Sequence, residues 1–436
     1  MERTQQQRKW QTPFFSIWTG QQLSLIGSSV AQFALVWWLT KTTGSATVLA
    51  TGTLISLLPG VFLGPFVGAL VDRWNRRKVM IVADSAIALV SAWLAYLFWT
   101  GAIHVGHVYV IMLARAIGGT FHWPAMQAST SLMVPEKHLS RVAGLNQTMQ
   151  GALSIASPPL GALLLGILPL HAIMGIDVGT AAFAIAPLFF ILIPQPQRRA
   201  EAAAAEGGKP SVWADVREGL SYIWHWPGVL AVMCMAAVVN FFLWPAFSLV
   251  PILVTKHFGG GALQLGWMNS AWGVGLVLGG LVLSVWGGFR RRIVTSMMGL
   301  IGLGLGILLV GLTPATAFWL GAGGLFFATL MMAICNGPIQ ALFQTVVPPE
   351  MQARFFTVIG SMSAAMAPLG MAVAGPVADA LGVRVWYVMG GVVCILMGIG
   401  AFFVPPIMHL EDSRHAHAVV EGERPVADSV NASAPE

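Results

Sequence analysis

The stretch Gly68-Ala-Leu-Val-Asp72-Arg73-Trp-Asn-Arg76-Arg77-Lys78 concentrates five charges within seven residues and separates two long apolar segments. An apolar run of about 20 residues is long enough for a helix to cross a bilayer. The runs at 46–71 and 79–100, on either side of the charges, meet that requirement. We therefore interpret the charged residues as a short loop between two membrane-spanning helices.

The rest of the chain has the same membrane character. Of its 436 residues 56% are apolar and 9% are charged, whereas about 25% of the residues in soluble proteins are charged. Apolar runs predict twelve spans, at 14–40, 46–71, 79–100, 107–133, 142–167, 171–193, 229–254, 263–287, 293–312, 316–345, 355–378 and 384–406. The predicted fold class is an all-α polytopic membrane protein with twelve transmembrane helices.

The basic residues predict the orientation of these helices. If the N-terminus is cytoplasmic, 19 of the 23 Lys and Arg residues fall in inner segments, and Lys41, Lys256 and Arg384 fall in outer ones. Cytoplasmic loops of membrane proteins carry this excess of positive charge. We expect an integral protein of the plasma (inner) membrane with both termini in the cytoplasm.

The spans divide into two groups of six. We expect a cytoplasmic N-terminus at 1–13, a helical bundle at 14–193, a linker at 194–228, a second bundle at 229–406 and a disordered cytoplasmic tail at 407–436. Within the linker, apolar residues at 212–224 have the spacing of an amphipathic helix lying at the membrane surface.

The two bundles show weak internal similarity. An offset of 213 residues aligns Gln127 with Gln340 and Arg141 with Arg354, and an offset of 214 places 76–78 over 290–292. Such similarity is typical of parallel repeats, which handle substrate near the bilayer midplane where the halves meet. We therefore predict two pseudo-symmetric bundles.

The opening stretch resembles the loop signature G-x-x-x-D-R-x-x-R-R/K of the major facilitator superfamily. Three further pieces are similar to the branch that contains macrolide efflux pumps and enterobactin-type siderophore exporters. They are Met80-Ile-Val-Ala-Asp84, Gly175-Ile-Asp177-Val-Gly-Thr-Ala-Ala-Phe183 and Asp215-Val-Arg-Glu-Gly219-Leu-Ser-Tyr222-Ile. One departure is Ser157-Pro158-Pro159-Leu160-Gly161, where antiporter relatives often have Gly-Pro-x-x-Gly-Gly, and this weakens the analogy with antiport.

The resemblance implies a conformational latch. In the superfamily the loop aspartate engages the N-terminal end of span eleven, where helix-end N–H groups attract negative charge, and closes the cytoplasmic side. The matching residues are Gly68, Asp72, Arg73, Arg76 and Arg77. The alternative is a positively charged loop that only orients the chain.

Few charges lie within the spans, and such charges are functional candidates because burying them is costly. Asp84, Arg115 and Asp177 qualify, and Asp379 lies near an outer helix end. We expect Asp84 to pair with Arg73, Arg76 or Arg77, and a direct role in proton coupling is the alternative. The resemblance implies that Arg115 is linked to proton movement, and Asp177, which lies at a comparable depth, is its candidate partner. The alternatives are a static pair and a helix-end carboxylate that faces water.

Polar and aromatic residues of the spans define a predicted substrate cavity, since spans one, four, seven and ten line the path in the resembled superfamily. A cavity of aromatic, Met and neutral amide side chains suits bulky amphipathic molecules. Ordinary packing is the alternative for each aromatic, and His122 is interpreted as a neutral hydrogen-bonded side chain. The predicted lining is Gln32, Trp37, Trp123, Gln127, Asn240, Trp244, Asn269, Asn336, Gln340 and Met366.

Together these features predict a secondary active transporter that exports hydrophobic or amphipathic small molecules, of multidrug or macrolide type, by alternating access. The expected energy source is the proton gradient; no cofactor or metal and no nucleic acid partner is expected, and the protein is expected to work as a monomer in contact with membrane lipid. Alternatives are a siderophore or lysolipid exporter and a non-transporting membrane sensor. No P-loop or catalytic constellation is found in the sequence, which disfavours direct use of ATP and a membrane enzyme.

Overall fold

The computed structural model describes residues 10–193, 226–347 and 349–411. Its long helices are α1 (Gln11–Thr43), α2 (Ala46–Arg73), α3 (Arg76–Thr100), α4 (Val105–Met133), α5 (Glu136–Ile167), α6 (Leu170–Phe190), α7 (Pro227–Ser248), α8 (Ala262–Trp286), α9 (Arg292–Leu312), α10 (Phe318–Val346), α11 (Pro349–Leu381) and α12 (Val383–Ala401). The predicted amphipathic helix at 212–224 and most of the predicted tail lie outside the described residues.

Capping residues, rather than the ends of the apolar runs, set the helix boundaries. α1 ends at Gly44, whose φ of 61° lies in the left-handed region that glycine adopts without strain. Before α2, the Ser45 hydroxyl accepts a first-turn backbone N–H at 3.2 Å, and before α3 the Asn75 side chain does so at 3.1 Å. The helices are therefore mostly longer than the predicted spans.

Ten of the twelve long helices in the described part are long and apolar enough to cross a membrane. The exceptions are α4, whose sequence includes His107, Arg115 and His122, and α11, of which only Ala365–Leu381 forms a shorter apolar segment. Polar groups within a span are tolerated where protein or a water-filled cavity surrounds them. The all-α polytopic fold is confirmed, and ten of the predicted crossings meet the criterion for a membrane span.

The predicted seventh span, 229–254, is not one continuous α-helix. α7 ends at Ser248, and the chain continues as a short α-helical segment, Val250–Ile252, and a π-helical turn, Leu253–His257. Pro245 and Pro251 flank the interruption, and proline cannot donate the backbone hydrogen bond that a helix interior needs. Hydropathy alone could not reveal this break.

Helix packing repeats between the two halves. In the first half, α1 packs on α5 and α6, α3 packs on α4 and α6, and α2 packs on α4. The corresponding helices of the second half pack in the same way: α7 on α11 and α12, α9 on α10 and α12, and α8 on α10. The main contacts between the halves, α2 with α11 and α5 with α8, are related by the same correspondence. The predicted pseudo-symmetric pair of bundles is confirmed.

In the described part of the chain, the halves contact each other mainly toward the side predicted to be outer. Below, outer and inner refer to the sides predicted from the charges. The buried apolar cluster that fills the second half also contains Phe33, Ala46, Leu49 and Ala162, toward the outer ends of α1, α2 and α5. Among the residues whose side chains are described, a cluster near the inner ends, which includes Val71, contains first-half residues. Since side-chain packing holds membrane helices together, the described packing between the halves lies chiefly at their outer ends.

Candidate functional site

A buried ion pair lies in the outer part of the first bundle. Asp177 on α6 is 2% exposed and forms an ion pair with Arg115 on α4. Its carboxylate also accepts hydrogen bonds from Ser28 on α1 at 2.8 Å and from Ser91 on α3 at 2.7 Å. Four helices therefore meet at one carboxylate whose charge is paired and hydrogen-bonded, as burial requires. We call these four residues the outer cluster.

A glycine allows α1 to approach this carboxylate. A Cβ added at Gly27 would clash with the Thr180 side chain and lie 3.3 Å from the Cα of Asp177. The absence of a side chain at Gly27 thus lets the neighbouring Ser28 reach Asp177. This close crossing of α1 and α6 fixes the geometry of the outer cluster.

A second buried group of polar side chains lies closer to the inner side. The Gln21 amide on α1 donates to the Asp84 carboxylate on α3 at 2.9 Å, and His122 Nε2 on α4 lies 3.2 Å from the other Asp84 oxygen. His122 Nε2 is also 3.0 Å from the Gln21 carbonyl oxygen. Gln21 and Asp84 are buried. We call these three residues the inner cluster.

The two clusters use residues at equivalent spacings on the same three helices. Gln21 and Ser28, Asp84 and Ser91, and His122 and Arg115 are each separated by seven residues on their helices. Seven residues span two helical turns and about 10 Å, so the clusters are stacked along α1, α3 and α4. This repeated polar spacing is the sequence signal that would have identified Gln21, Ser28, Ser91 and His122 as interior residues.

The expected pairing of Asp84 with the basic loop differs from the structure, in which Asp84 contacts Gln21 and His122. Arg77 instead donates to the carbonyl oxygens of Leu188 and Phe189 at the C-terminal end of α6, and Arg76 donates to the Ala128 carbonyl on α4 at 3.0 Å. Cations are favourable at a helix C-terminus. These two arginines therefore connect α3 to α4 and α6 at the inner end of the first bundle.

The remaining latch residues, Gly68, Asp72 and Arg73, belong to α2 by their backbone. Their side chains lie outside the described part of the structure, and so do those of the first residues of α11. The predicted latch between Asp72 and α11 stays a prediction.

An outer contact between the halves was not anticipated from the sequence. Asp379, near the C-terminal end of α11, accepts hydrogen bonds from the Ser45 hydroxyl at 2.7 Å and from the backbone N–H groups of Ala46 and Thr47 at 2.8 Å each. A carboxylate at a helix N-terminus is stabilised by unpaired N–H groups and the helix dipole. Asp379 thus caps α2 of the opposite half.

The predicted cavity residues do not converge on one enclosed site. Asn269 lines a cavity between the halves, and Trp37 lines another toward the outer side. The Asn240 amide donates to the Ala236 carbonyl of its own helix at 2.9 Å. The exposed side chains are Trp123, Gln127, Trp244, Asn336 and Gln340, and the partly buried ones are Gln32 and Met366.

Two cavities are relevant to binding. One of about 630 Å³ lies between α3 and α4 and is mainly apolar, with Trp74 and Phe121 in its wall. The other, of about 340 Å³, lies between α1 and α5 of the first half and α8 of the second. Its polar lining consists of Ser29, Gln150, Ser154, Ser157, Asn269 and Trp272. Unlike the first, this second cavity is shared by the halves, as expected for a site at a repeat interface. The cavity lined by Trp37, of about 550 Å³, also contacts both halves but lies further toward the outer side.

Metal ligation has no support in the described part of the chain. Within residues 10–193, 226–347 and 349–411, no three His, Cys, Asp or Glu side chains are grouped in a way that could hold a metal ion. The three cysteines there, Cys234, Cys335 and Cys394, are free thiols.

Repeated six-helix halves, buried ionisable clusters and a cavity between the halves define a polytopic membrane transporter. The chain belongs to the Major Facilitator Superfamily, whose family model matches residues 17–371 and 229–426. The resemblance predicted from the sequence is confirmed.

Two relatives and a solved structure illustrate this membership. The chain is 31% identical to Macrolide efflux protein A of Streptococcus pyogenes over 402 residues, which cover 92% of this chain and 98% of the relative. It is 24% identical to Multidrug efflux pump Tap of Mycolicibacterium fortuitum, covering 88% and 94%. The fold is similar to that of a variant of the nucleoside transporter NupG, with a TM-score of 0.66, 12% identity and coverage of 87% and 98%.

Proposed function

We propose that the protein exports bulky amphipathic molecules, macrolides among them, from the cytoplasm across the inner membrane. The observation that carries this proposal is the cavity of about 340 Å³ built from both halves, since a transporter of two repeats binds substrate where the repeats meet. Export as the direction and macrolides as cargo are supported by the printed functions of the relatives.

The exposed amides support a water-filled path below this cavity. Gln127 on α4 and Asn336 and Gln340 on α10 are exposed toward the inner ends of their helices. Amide groups in hydrocarbon are costly unless they are paired or face water. We infer that these side chains face an aqueous opening on the inner side, with the outer side closed by α2 and α11.

Alternating access then requires two opposed closures on one helix pair. The outer closure is the contact of Asp379 with the N-terminus of α2. The inner closure would be the contact of Asp72 with the N-terminus of α11, which the resemblance implies. Each carboxylate near the end of one helix would cap the start of the other, so breaking one contact would allow the other to form.

Proton coupling is assigned to the first half. Asp177 already has a cationic partner, Arg115, which stabilises its charge. Asp84 contacts a neutral amide and the imidazole of His122, which can accept or donate a proton. We therefore favour Asp84, with His122, as the pair that carries the proton. The outer cluster would then respond to the change in charge at Asp84.

The test compares accumulation of radiolabelled erythromycin in cells with and without the chain, before and after an uncoupler collapses the proton gradient. The proposal predicts lower accumulation in cells that carry the chain and a rise to the control level after the uncoupler. Equal accumulation in both cell types would reject macrolide export. Lower accumulation that the uncoupler leaves unchanged would reject proton coupling alone.

A further inference from the structure

We propose that the shared cavity between α1, α5 and α8 is a subsite for the uncharged, oxygen-rich part of the exported molecule. The expected occupant is an apolar ring or chain that carries ester, ether or hydroxyl oxygens. The cavity, at about 340 Å³, is large enough for a portion of a drug-sized ligand. This inference rests on the proposed function and specifies its substrate chemistry.

The lining of the cavity disfavours charged groups of a ligand. Its side chains are aliphatic, hydroxyl, amide or indole groups, and none of them carries a charge. A charged ligand group in this space would lose hydration without gaining a countercharge, which is strongly unfavourable. The subsite therefore accepts neutral groups.

Two lining residues carry polar atoms that the protein leaves unpaired. In the described part of the chain, the Ser157 hydroxyl oxygen and the Trp272 indole nitrogen are buried and have no hydrogen-bond partner. Buried polar groups in folded proteins are nearly always paired. Because an indole N–H only donates, the group that satisfies Trp272 must be a hydrogen-bond acceptor.

The hydrogen bonds of the neighbouring hydroxyl groups limit which lining residues can donate to a ligand. Ser29 donates to the Leu25 carbonyl at 2.7 Å, and Ser154 donates to the Gln150 carbonyl at 2.9 Å. Their protons are therefore already used within their own helices. The donors left for a ligand oxygen include Ser157 on α5 and Trp272 on α8.

Ser157 and Trp272 belong to opposite halves of the molecule. The two helices are already in contact at this level, where the Ser270 hydroxyl on α8 donates to the Ile155 carbonyl on α5 at 2.8 Å. A ligand held by both residues would interact with the interface that must rearrange during transport. A ligand that contacts both residues in one access state and not in the other would thus bias the equilibrium between the two states.

The experiment measures erythromycin transport into everted membrane vesicles by the full chain and by Trp272→Phe and Ser157→Ala. Trp272→Phe keeps an aromatic ring and removes the N–H, and Ser157→Ala removes only the hydroxyl. The matched control is Trp267→Phe on the same helix, where Trp267 stacks on Trp319 with ring centroids 4.9 Å apart and is outside the lining. Equilibrium binding of erythromycin to the purified variants in detergent provides a second measurement.

We expect each subsite variant to raise KM and the dissociation constant roughly three- to tenfold, the loss of one hydrogen bond, with the maximal rate unchanged. Trp267→Phe should match the unaltered chain. Unchanged KM and binding in both subsite variants would overturn the subsite, as would a fall in maximal rate alone, which indicates a structural role. Absence of erythromycin transport by the unaltered chain would instead overturn the proposed function.

Discussion

Individual carboxylates of the first half differ in how completely their charge is compensated. Asp177 combines an ion pair with two hydroxyl donors, whereas Asp84 has an amide donor and a histidine. Removing one partner of a buried ion pair leaves an uncompensated charge, which costs far more than removing both. The two carboxylates should therefore respond differently to substitution.

Arg115→Met should destabilise the folded protein by about 3–5 kcal/mol, because the Asp177 carboxylate would stay buried without its cation. Adding Asp177→Asn should restore most of that loss. Thermal unfolding of the purified protein in detergent measures both effects. Strictly additive losses in the double variant would show that the pair does not act as a unit.

Asp84→Asn should abolish gradient-driven export while leaving downhill exchange of erythromycin intact, because the amide cannot carry a proton between states. Transport by reconstituted vesicles, with and without a pH gradient, measures both modes. Thr100→Val is the matched control on the same helix, since Thr100 is exposed and its hydroxyl donates to carbonyl oxygens of α3 itself. Full gradient-driven transport by Asp84→Asn would assign proton carriage to another group.

Among the helices, α2 and α11 form the contact that we propose as the outer closure. Asp379 caps α2, and a Cβ added at Gly375 on α11 would lie 2.9 Å from both the Ala50 Cβ and the Thr47 Cα. The helices can therefore approach this closely only with glycine at 375. Both features predict that substitutions at this helix crossing shift the equilibrium between the access states and do not alter the substrate-binding site.

Asp379→Asn should weaken the outer closure by about 1–2 kcal/mol, roughly a 5- to 30-fold shift toward the outward-open state. One carboxylate oxygen accepts from both Ser45 and Thr47, and an NH₂ group in that place accepts neither. Spin labels at the exposed positions 42 and 381 report the separation. Ser45→Ala removes one bond and should give a smaller shift; an unchanged distance distribution in Asp379→Asn would refute the cap.

Gly375→Ala should also favour the outward-open state, because the added methyl group meets backbone and Cβ atoms of α2. The same pair of spin labels measures the change. Gly280→Ala on α8, where an added Cβ meets no atom within 4 Å, is the matched control. A shift of equal size in both variants would assign the effect to glycine itself and not to the crossing.

Sequence patterns identified helices well and contacts between helices poorly. Apolar runs predicted where each long helix lies because hydropathy and length decide whether a segment crosses a bilayer. They did not predict the partner of Asp84, since the choice between a loop arginine and His122 depends on how three helices pack. The cap on α2 was equally hidden, because Asp379 and Ser45 lie 334 residues apart.

At the scale of the whole molecule, the repeated packing of the halves makes rocking about their interface the natural motion. α5 and α8 on one side, and α2 and α11 on the other, occupy corresponding places in the repeat. The chain's repeat could be predicted from matched loop residues, whereas the proposed outer closure could be inferred only from helix packing. The central claim is that closing the inner side and opening the outer side are one movement.

Distances between spin labels on α5 and α8 test this claim most directly. One pair, at the exposed Ile167 and Leu263, reports the outer side, and a second pair, at Ala143 and the exposed Val285, reports the inner side. The labels replace residues in a background without the three native cysteines, and pulsed electron resonance is recorded with and without erythromycin. If the two sides move together, the outer distance lengthens as the inner distance shortens. Distances that change in the same direction, or an outer distance that never changes, would contradict it.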